Sequence, residues 1–201
     1  NYLKGNKPDL IFHCAAYTAM DLAETEQEIC HAANVTATRQ LADYCAESGT
    51  VMVYPSTDYV FDGSGTMPWR TTDIPHPLNI YGTTKAEGER LVQARLNNYF
   101  IVRISWLFGG DKSFVASISR KLLAGEKLRV VDDQIGSPTY TEDVAETLAR
   151  LAMSKRFGIY HVTNAGVCSW YQFAVEIARQ LGCNTSQITP ISDRKSTRLN
   201  S

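Results

Sequence analysis

Two side chains that can handle a proton stand four residues apart near the middle of the chain. Tyr81 and Lys85 fall in a stretch, residues 81–96, that is rich in helix formers and carries an apolar stripe. Residues four apart share one face of a helix, and an ammonium favours phenolate over phenol. We therefore expect Lys85 to lower the pKa of Tyr81 toward the range of a general acid. The spacing also suits a surface tyrosine beside a solvated lysine.

A run of short polar side chains, Ser56, Thr57 and Asp58, comes just before Tyr59 and just after the apolar stretch at 50–54. The composition of that stretch predicts a strand, and open α/β proteins bind ligands at the carboxyl edge of the sheet. A hydroxyl placed there can hold a substrate carbonyl. The alternative is an ordinary turn in which the polar side chains bond their own backbone.

The rest of the chain alternates between strand-like and helix-like segments. We predict strands at 9–15, 50–54, 99–104, 128–131 and 159–162, and helices at 20–48, 81–96, 114–124, 142–153 and 170–181. Such alternation indicates βαβ units, so the predicted fold is α/β, a Rossmann-like doubly wound parallel sheet covered on both faces. Residues 56–77, with their Gly, Pro and polar residues, are predicted to form a long loop.

The composition narrows the class of protein. The chain has 201 residues, 44% hydrophobic side chains and a formal charge of -1. It can bury a core, and it carries no basic block suited to nucleic acid or an anionic membrane. Any nucleotide it binds is expected to be a small molecule.

The cysteines and histidines give no sign of a metal site or a disulfide framework. Five cysteines are an odd number without a C-x-x-C pair, and we interpret them as reduced structural thiols: Cys14, Cys30, Cys45, Cys168 and Cys183. The four histidines lack ligand spacing, so no metal ligands are predicted. No apolar run reaches the roughly 18 residues of a membrane span. We expect a cytoplasmic protein.

Five ordered motifs resemble those of the extended short-chain dehydrogenase/reductases, and among these the dTDP-4-dehydrorhamnose reductase family. They read CAAYTAMD at 14–21, STDYVFDG at 56–63, PLNIYGTTK at 77–85, RISWLFG at 103–109 and VDDQIGSPT at 131–139. The resemblance extends over about residues 8–182. An ordered series of motifs is far more specific than a single Tyr–Lys pair.

The resemblance implies reduction of the C4 ketone of dTDP-4-dehydro-L-rhamnose by NADPH or NADH. Tyr81 would give a proton to the developing alkoxide, Lys85 would tune that proton and bind the nicotinamide ribose, and Thr57 would hydrogen-bond the reacting oxygen. The family lines its cofactor cleft at positions that correspond here to Cys14, Ala15, Ala16, Tyr17, Ser56, Tyr81 and Lys85. The positions that would contact the sugar are Asp58, Tyr59 and Trp106. For Trp106 the alternative is plain core packing.

Two other functions remain open. Sugar-nucleotide dehydratases of this superfamily carry an Asp-Glu pair after the Thr, whereas Asp58 is followed here by Tyr59. Without the second carboxylate, ketone reduction is the simpler chemistry, although another epimerase or dehydratase activity is not excluded by one position. The regulatory subunit of methionine adenosyltransferase also looks similar and acts by docking a partner without catalysis.

The resemblance also sets expectations for the chain's organisation. Because the family's opening Gly-rich turn is absent, we expect roughly fifty preceding residues in a complete domain and poor NADPH binding by residues 1–201 alone. Residues 1–192 would form a partial cofactor-binding domain, with a smaller substrate lobe drawn mainly from 107–140 and 163–192, and 193–201 a disordered or non-native tail. The resemblance makes Glu142 a candidate ligand for Mg²⁺ as a cofactor. The alternative is that Glu142 stabilises the N-terminus of a helix. A homodimer is the expected oligomer.

Overall fold

The computed structural model describes residues 2–193, which divide into two units. One unit contains residues 2–104 together with 147–162, and the other contains 105–146 together with 163–193. The tail predicted at 193–201 lies, after Asp193, outside the described residues.

The strands and helices follow the predicted alternation. The strands are β1 (Leu10–Phe12), β2 (Val51–Thr57), β3 (Tyr99–Ile104), β4 (Leu107–Phe108), β5 (Leu128–Val131), β6 (Ile135–Gly136), β7 (Thr139–Tyr140), β8 (Gly158–Val162), β9 (Cys168–Ser169) and β10 (Ile188–Ile191). The α-helices are α1 (Tyr2–Asn6), α2 (Met20–Ala23), α3 (Gln27–His31), α4 (Ala37–Ser48), α5 (Ile80–Arg95), α6 (Phe114–Leu123), α7 (Thr141–Ser154) and α8 (Trp170–Gln180). Short 3₁₀ helices occupy Asp58–Val60 and Thr185–Gln187.

The first unit is built on a four-stranded parallel sheet in the order β1-β2-β3-β8. Helices α4 and α5 pack against this sheet, and they share a buried apolar cluster with β2 and β3. Its members are Ala42, Cys45, Met52, Tyr54, Val92, Leu96 and Ile101. A parallel sheet with crossover helices confirms the predicted α/β, Rossmann-like fold.

The stretch 20–48 is not the single helix that its apolar spacing predicts. Helix α2 ends at Ala23, α3 follows a turn, and a π-helical turn at Ala32–Thr36 separates α3 from α4. Gly49 ends α4 with a φ of 75°, as the sequence indicates. Helical periodicity does not reveal the π turn, because such a turn inserts a residue without ending the helix.

Strand β2 is longer than the sequence predicts. It continues through Pro55 to Thr57, where Ser56 pairs with Arg103 and Thr57 with Ile104 of β3. Ser56 and Thr57 are therefore strand residues rather than part of the predicted loop. The Thr57 hydroxyl nevertheless accepts from the Tyr59 backbone N–H, as the turn alternative expects, and Asp58 begins the 3₁₀ helix that follows. The extension places both hydroxyls at the carboxyl end of a central strand.

Gly88 allows α5 to lie close to the sheet. A Cβ at this position would lie 2.2 Å from the hydroxyl oxygen of Tyr54, which is buried. We expect Gly88→Ala to lower the free energy of unfolding by about 1–3 kcal/mol, the usual cost of overpacking a core. Urea denaturation measures this. Gly5→Ala is the control, because nothing lies within 4 Å of a Cβ there; equal destabilisation by both variants would contradict the steric explanation.

The second unit is built around the parallel pair β5 and β10, with α6 and α8 against it. Its buried apolar side chains are Ile118, Leu122, Leu128, Val130, Ala174, Ile177, Ala178 and Ile188. Two further pairs, β4 with β7 and β6 with β9, complete its strands. Strand β10 has no counterpart in the sequence prediction.

Across residues 2–193, none of the helices combines the length and apolar character that crossing a membrane requires.

Candidate active site

The first turn of α5 is fixed against the segment that follows β2. The Asn79 side chain caps the helix by accepting a hydrogen bond from the Gly82 backbone N–H at 2.7 Å. A Cβ at Gly82 would lie 2.1 Å from the Tyr59 carbonyl oxygen, so glycine permits this approach. The packing brings Tyr81, the second residue of α5, to the carboxyl end of β2.

Thr57 and Tyr81 meet at this end of the sheet. The Thr57 side chain lies close enough to the Tyr81 hydroxyl to favour its phenolate. The Thr57 hydroxyl also donates to Asp58 Oδ1 at 3.1 Å and accepts from the Tyr59 backbone N–H at 3.2 Å. Thr57 is buried, so these contacts hold its hydroxyl in one place. The predicted meeting of a strand-end hydroxyl with the helical phenol is therefore present.

The prediction that the Tyr81 pKa is lowered is wrong. Burial raises the pKa of Tyr81 to about 12, and the nearby Asp58 and Cys30 add to the rise, while the nearby Thr57 hydroxyl opposes it. The expected lowering depends on an ammonium one turn away. Removal of the phenol from water is instead the largest influence on the pKa of Tyr81, and it raises the pKa because phenolate is the charged form.

Lys85 is buried and directed at β2. Its Nζ donates to the Pro55 carbonyl oxygen at 2.7 Å and lies 3.9 Å from the centre of the Tyr54 ring. Burial lowers the pKa of Lys85 to about 8, against the raising influence of Glu89 and Cys14. Tyr81 and Lys85 are thus on one face of α5 as predicted, but the ammonium bonds the strand backbone.

The sequence analysis missed a buried ion pair one turn beyond Lys85. Arg103 of β3 holds Glu89 with both ends of its guanidinium, at 3.0 Å for Nε to Oε1 and 2.7 Å for Nη2 to Oε2. The Ser56 hydroxyl donates to the same carboxylate at 2.6 Å. Continuing the spacing of Tyr81 and Lys85 by four residues would have found Glu89.

The π turn also carries a residue that the sequence analysis missed. Asn34 is buried, and its side chain accepts from the Tyr17 backbone N–H at 2.8 Å and donates to the Tyr17 carbonyl at 3.1 Å. It also donates to the Thr84 hydroxyl at 3.1 Å. Asn34 therefore ties the segment after β1 to α5, between Tyr81 and Lys85.

The segment predicted to line a cofactor cleft follows β1 directly. Cys14 and Ala15 are exposed, Ala16 and Tyr17 are half-buried, and Cys14 is close enough to Lys85 to influence its pKa. The Tyr17 hydroxyl donates to Glu26, which raises the pKa of Tyr17 to about 12. Contact of these residues with a cofactor stays a prediction. So does contact of Ser56, whose hydroxyl is bonded to the interior Glu89.

Asp58 and Tyr59 lie beside the Thr57–Tyr81 pair. The Tyr59 and Tyr81 rings meet edge to face, with centroids 6.0 Å apart, and the Asp58 carboxylate accepts from Thr57. Tyr59 follows Asp58 directly, so the residues after Thr57 supply a single carboxylate. Their contact with a sugar stays a prediction.

Trp106 belongs to the second unit and has an unusual backbone. Its φ is 45°, and its ring stacks on Trp170 with centroids 3.6 Å apart. The ring also fills the space that a Cβ at Gly136 would need. Trp106 is half-buried rather than enclosed, and its contact with substrate stays a prediction.

The structure gives no support to Mg²⁺. Glu142 accepts a side-chain hydrogen bond from Tyr140, which raises the pKa of Tyr140. Within residues 2–193, no three His, Cys, Asp or Glu side chains are grouped to hold a metal ion. Glu142 lies in the first turn of α7, where a carboxylate is favourable without any metal.

Comparison with known proteins gives a consistent result. The family described as the RmlD substrate binding domain matches residues 1–199. The chain is similar to the spore coat polysaccharide biosynthesis protein SpsK of Bacillus subtilis, at 41% identity over 181 residues, covering 90% of this chain and 64% of that protein. It is similar to the dTDP-4-dehydrorhamnose reductase of Streptomyces griseus, at 41% identity over 192 residues, covering 92% and 63%.

A crystal structure shows the same likeness in three dimensions. The dTDP-4-dehydrorhamnose reductase of Bacillus anthracis in complex with NADP superposes with a TM-score of 0.93 at 38% identity, covering 97% of this chain and 69% of that one. The chain spans slightly less than two thirds of the length of the two curated relatives.

Proposed function

Because the chain belongs to the RmlD substrate binding domain family, we propose that it carries the active site of an NAD(P)H-dependent reductase for the C4 ketone of dTDP-4-dehydro-L-rhamnose. The observation that carries the proposal is that Thr57, at the carboxyl end of β2, lies close enough to Tyr81 of α5 to influence its pKa. The relatives of that name give the substrate and reaction class. The product would be dTDP-L-rhamnose.

Tyr81 is the proton donor in this proposal. Since its pKa is about 12, Tyr81 keeps its proton at neutral pH, which is the form that reduction requires. The phenol gives this proton to the oxygen of the substrate ketone as negative charge develops there. Thr57 supports the same oxygen by redirecting to it the hydrogen bond that its hydroxyl now gives to Asp58.

The polar groups of the site suit the nicotinamide end of NADPH or NADH. The Lys85 ammonium and the Tyr81 hydroxyl are donors of the kind that ribose hydroxyls accept, and both lie on one face of α5. Cys14 and Ala15 are small and exposed, so the flat nicotinamide ring would pack against them. When bound, the cofactor supplies the hydride. The presence of NADP in the related crystal structure favours NADPH.

Tyr59 favours reduction over dehydration at this site. Tyr59 follows Asp58 at the sequence position where the related dehydratases carry a glutamate for proton abstraction, and its ring contacts Tyr81. Asp58 alone supplies one carboxylate, and that carboxylate is bonded to Thr57. Elimination needs a separate base in addition to the Tyr81 acid, which these residues do not provide.

The proposal is tested with the protein that the complete gene encodes. Loss of NADPH absorbance is followed with dTDP-4-dehydrorhamnose as substrate, and the product is identified by mass spectrometry. dTDP-glucose, which has no ketone to reduce, is the control substrate. We expect turnover with the keto sugar only. Capture of a partner enzyme without any NADPH oxidation would instead favour a docking subunit.

Thr57→Val removes a hydroxyl while keeping the shape of the side chain. We expect kcat to fall about tenfold, since a hydrogen bond of this kind is worth about 0.5–1.5 kcal/mol. Initial rates of NADPH oxidation measure this. Thr83→Val is the matched control, because Thr83 is exposed and its hydroxyl bonds the Asn79 carbonyl. Equal losses in the two variants would remove Thr57 from the site.

Two expectations about the whole protein belong to the same proposal. The five cysteines are free thiols, which supports a reducing compartment and hence the cytoplasm. A homodimer stays a prediction that sedimentation of the purified protein measures directly.

A further inference from the structure

A buried carboxylate continues the line of functional side chains on α5. Tyr81, Lys85 and Glu89 are spaced by four residues, so they share the face of α5 that lies against β2. Each of the three lies against a different one of the last three residues of β2. Tyr81 lies near Thr57, Lys85 donates to the Pro55 carbonyl, and Glu89 accepts from Ser56.

Glu89 is charged and almost fully enclosed. Its side chain is 1% exposed and that of Arg103 is 3% exposed. The pair is bidentate, and the Arg103 guanidinium also lies over the Phe61 ring at 4.9 Å. A buried ion pair gives little net stability compared with apolar side chains of the same volume. Its place beside Lys85 therefore suggests a role other than holding the fold.

We propose that Glu89 is a positioning residue for the active site: its carboxylate, anchored by Arg103, fixes the Ser56 end of β2 and keeps Lys85 in its ammonium form. The kinetic part of this proposal rests on the reductase function proposed above. The electrostatic part concerns only the residues of this chain. Lys85 carries the charge that would bind ribose hydroxyls, and loss of that charge weakens the binding.

Several groups face Lys85, and Glu89 is the strongest anionic influence among them. Burial alone favours neutral lysine, and Glu89 is the first of the influences that oppose it. The titratable and charged groups around Lys85 are His13 and Cys14 after β1, Tyr54 on β2, Tyr81 and Glu89 on α5, and Arg103 of β3, which holds the Glu89 carboxylate. The pKa of His13 is lowered to about 4, so it is neutral near pH 7. Glu89 is thus the carboxylate that offsets the desolvation of the ammonium.

The test measures the titration of Lys85 directly and through catalysis. The protein is labelled with ¹³C at the lysine ε carbons, and the Lys85 signal is assigned by its loss in Lys85→Met. In Glu89→Gln we expect the titration midpoint of Lys85 to fall by about one pH unit or more, because an opposite charge at this range shifts a pKa by that amount. The alkaline limb of kcat/KM for NADPH moves to lower pH by the same amount.

Three further variants separate charge from structure. Glu89→Gln with Arg103→Met removes both buried charges, so no unpaired ion remains to unfold the protein, and the Lys85 midpoint still falls. Glu89→Asp keeps the charge and leaves the midpoint near that of the wild type. Glu87→Gln removes a partly exposed carboxylate two residues away, paired at 3.9 Å with His31, and leaves the midpoint unchanged.

The outcomes discriminate between the two proposals. Absence of turnover by the wild-type protein would overturn the reductase proposal, while the NMR titration would still decide the role of Glu89. An unchanged Lys85 midpoint in a folded neutral variant, or an equal shift in Glu87→Gln, would overturn the role of Glu89. If neither neutral variant folds, the ion pair serves folding alone and the proposal is wrong.

Discussion

Tyr81→Phe is expected to lower kcat for ketone reduction by about 10²–10⁴-fold, the usual contribution of a positioned general acid. The substitution removes the proton donor and keeps the ring that packs edge to face against Tyr59. Substrate and cofactor affinity should change little, because the remaining groups of the site are untouched. Initial rates at saturating NADPH and substrate measure kcat, and circular dichroism checks the fold.

Tyr99→Phe is the matched control for this substitution. Tyr99 begins β3, away from the carboxyl end of the sheet, so its variant should keep the wild-type kcat. A Tyr81→Phe protein with kcat within tenfold of the wild type would show that another group, or water, delivers the proton. The assignment of Tyr81 as general acid would then fail.

Local composition accounts for the elements that the sequence predicted well. The strands at 99–104 and 128–131 were found with the bounds that the structure shows, and α5 was found to within a residue at each end. In each case the apolar pattern, or a run of helix formers, is contained in the segment itself. Gly49, Gly125 and Gly182 mark helix ends because each takes a positive φ that other residues avoid.

The parts that the sequence missed depend on distant partners. Strand β2 continues through Pro55 because β3 supplies its pairing partners, more than forty positions along the chain. Strand β10, which includes Pro190, forms because β5 is available to pair with it. The ion pair of Glu89 and Arg103 joins a helix to a strand, and neither residue alone indicates burial.

The pKa of Tyr81 shows the same limit at the level of chemistry. Spacing places Lys85 beside Tyr81, but it says nothing about how far either side chain is removed from water. Burial decides the sign of both shifts, upward for the phenol and downward for the ammonium. The placement of Tyr81 and Lys85 on one helix could be predicted from the sequence, whereas the protonation behaviour of Tyr81 is a property of the folded site.

Lys85→Met is expected to make the protein more stable at pH 7 while impairing its binding of NADPH. Burial lowers the pKa of Lys85 from 10.5 to about 8 in the folded protein, whereas the unfolded chain titrates near 10.5. Below pH 8 the folded state therefore holds a charge that burial disfavours. Replacing it with an apolar side chain of similar length, and losing one hydrogen bond to Pro55, should raise the free energy of unfolding by on the order of 2 kcal/mol.

The stability difference between Lys85→Met and the wild type is expected to depend on pH. Between about pH 8 and 10.5 the unfolded state binds a proton that the folded state does not, so the contribution of Lys85 to wild-type stability rises with pH. The advantage of Lys85→Met should shrink over this window and disappear above it. Urea unfolding across the window, with the exposed Lys127→Met as control, measures the difference.

A Lys85→Met protein less stable than the wild type at pH 7 would mean that the contacts of the ammonium with Pro55, Tyr54 and Glu89 outweigh its desolvation. Lys85 would then stabilise the fold, and its buried ammonium would not lower the free energy of unfolding.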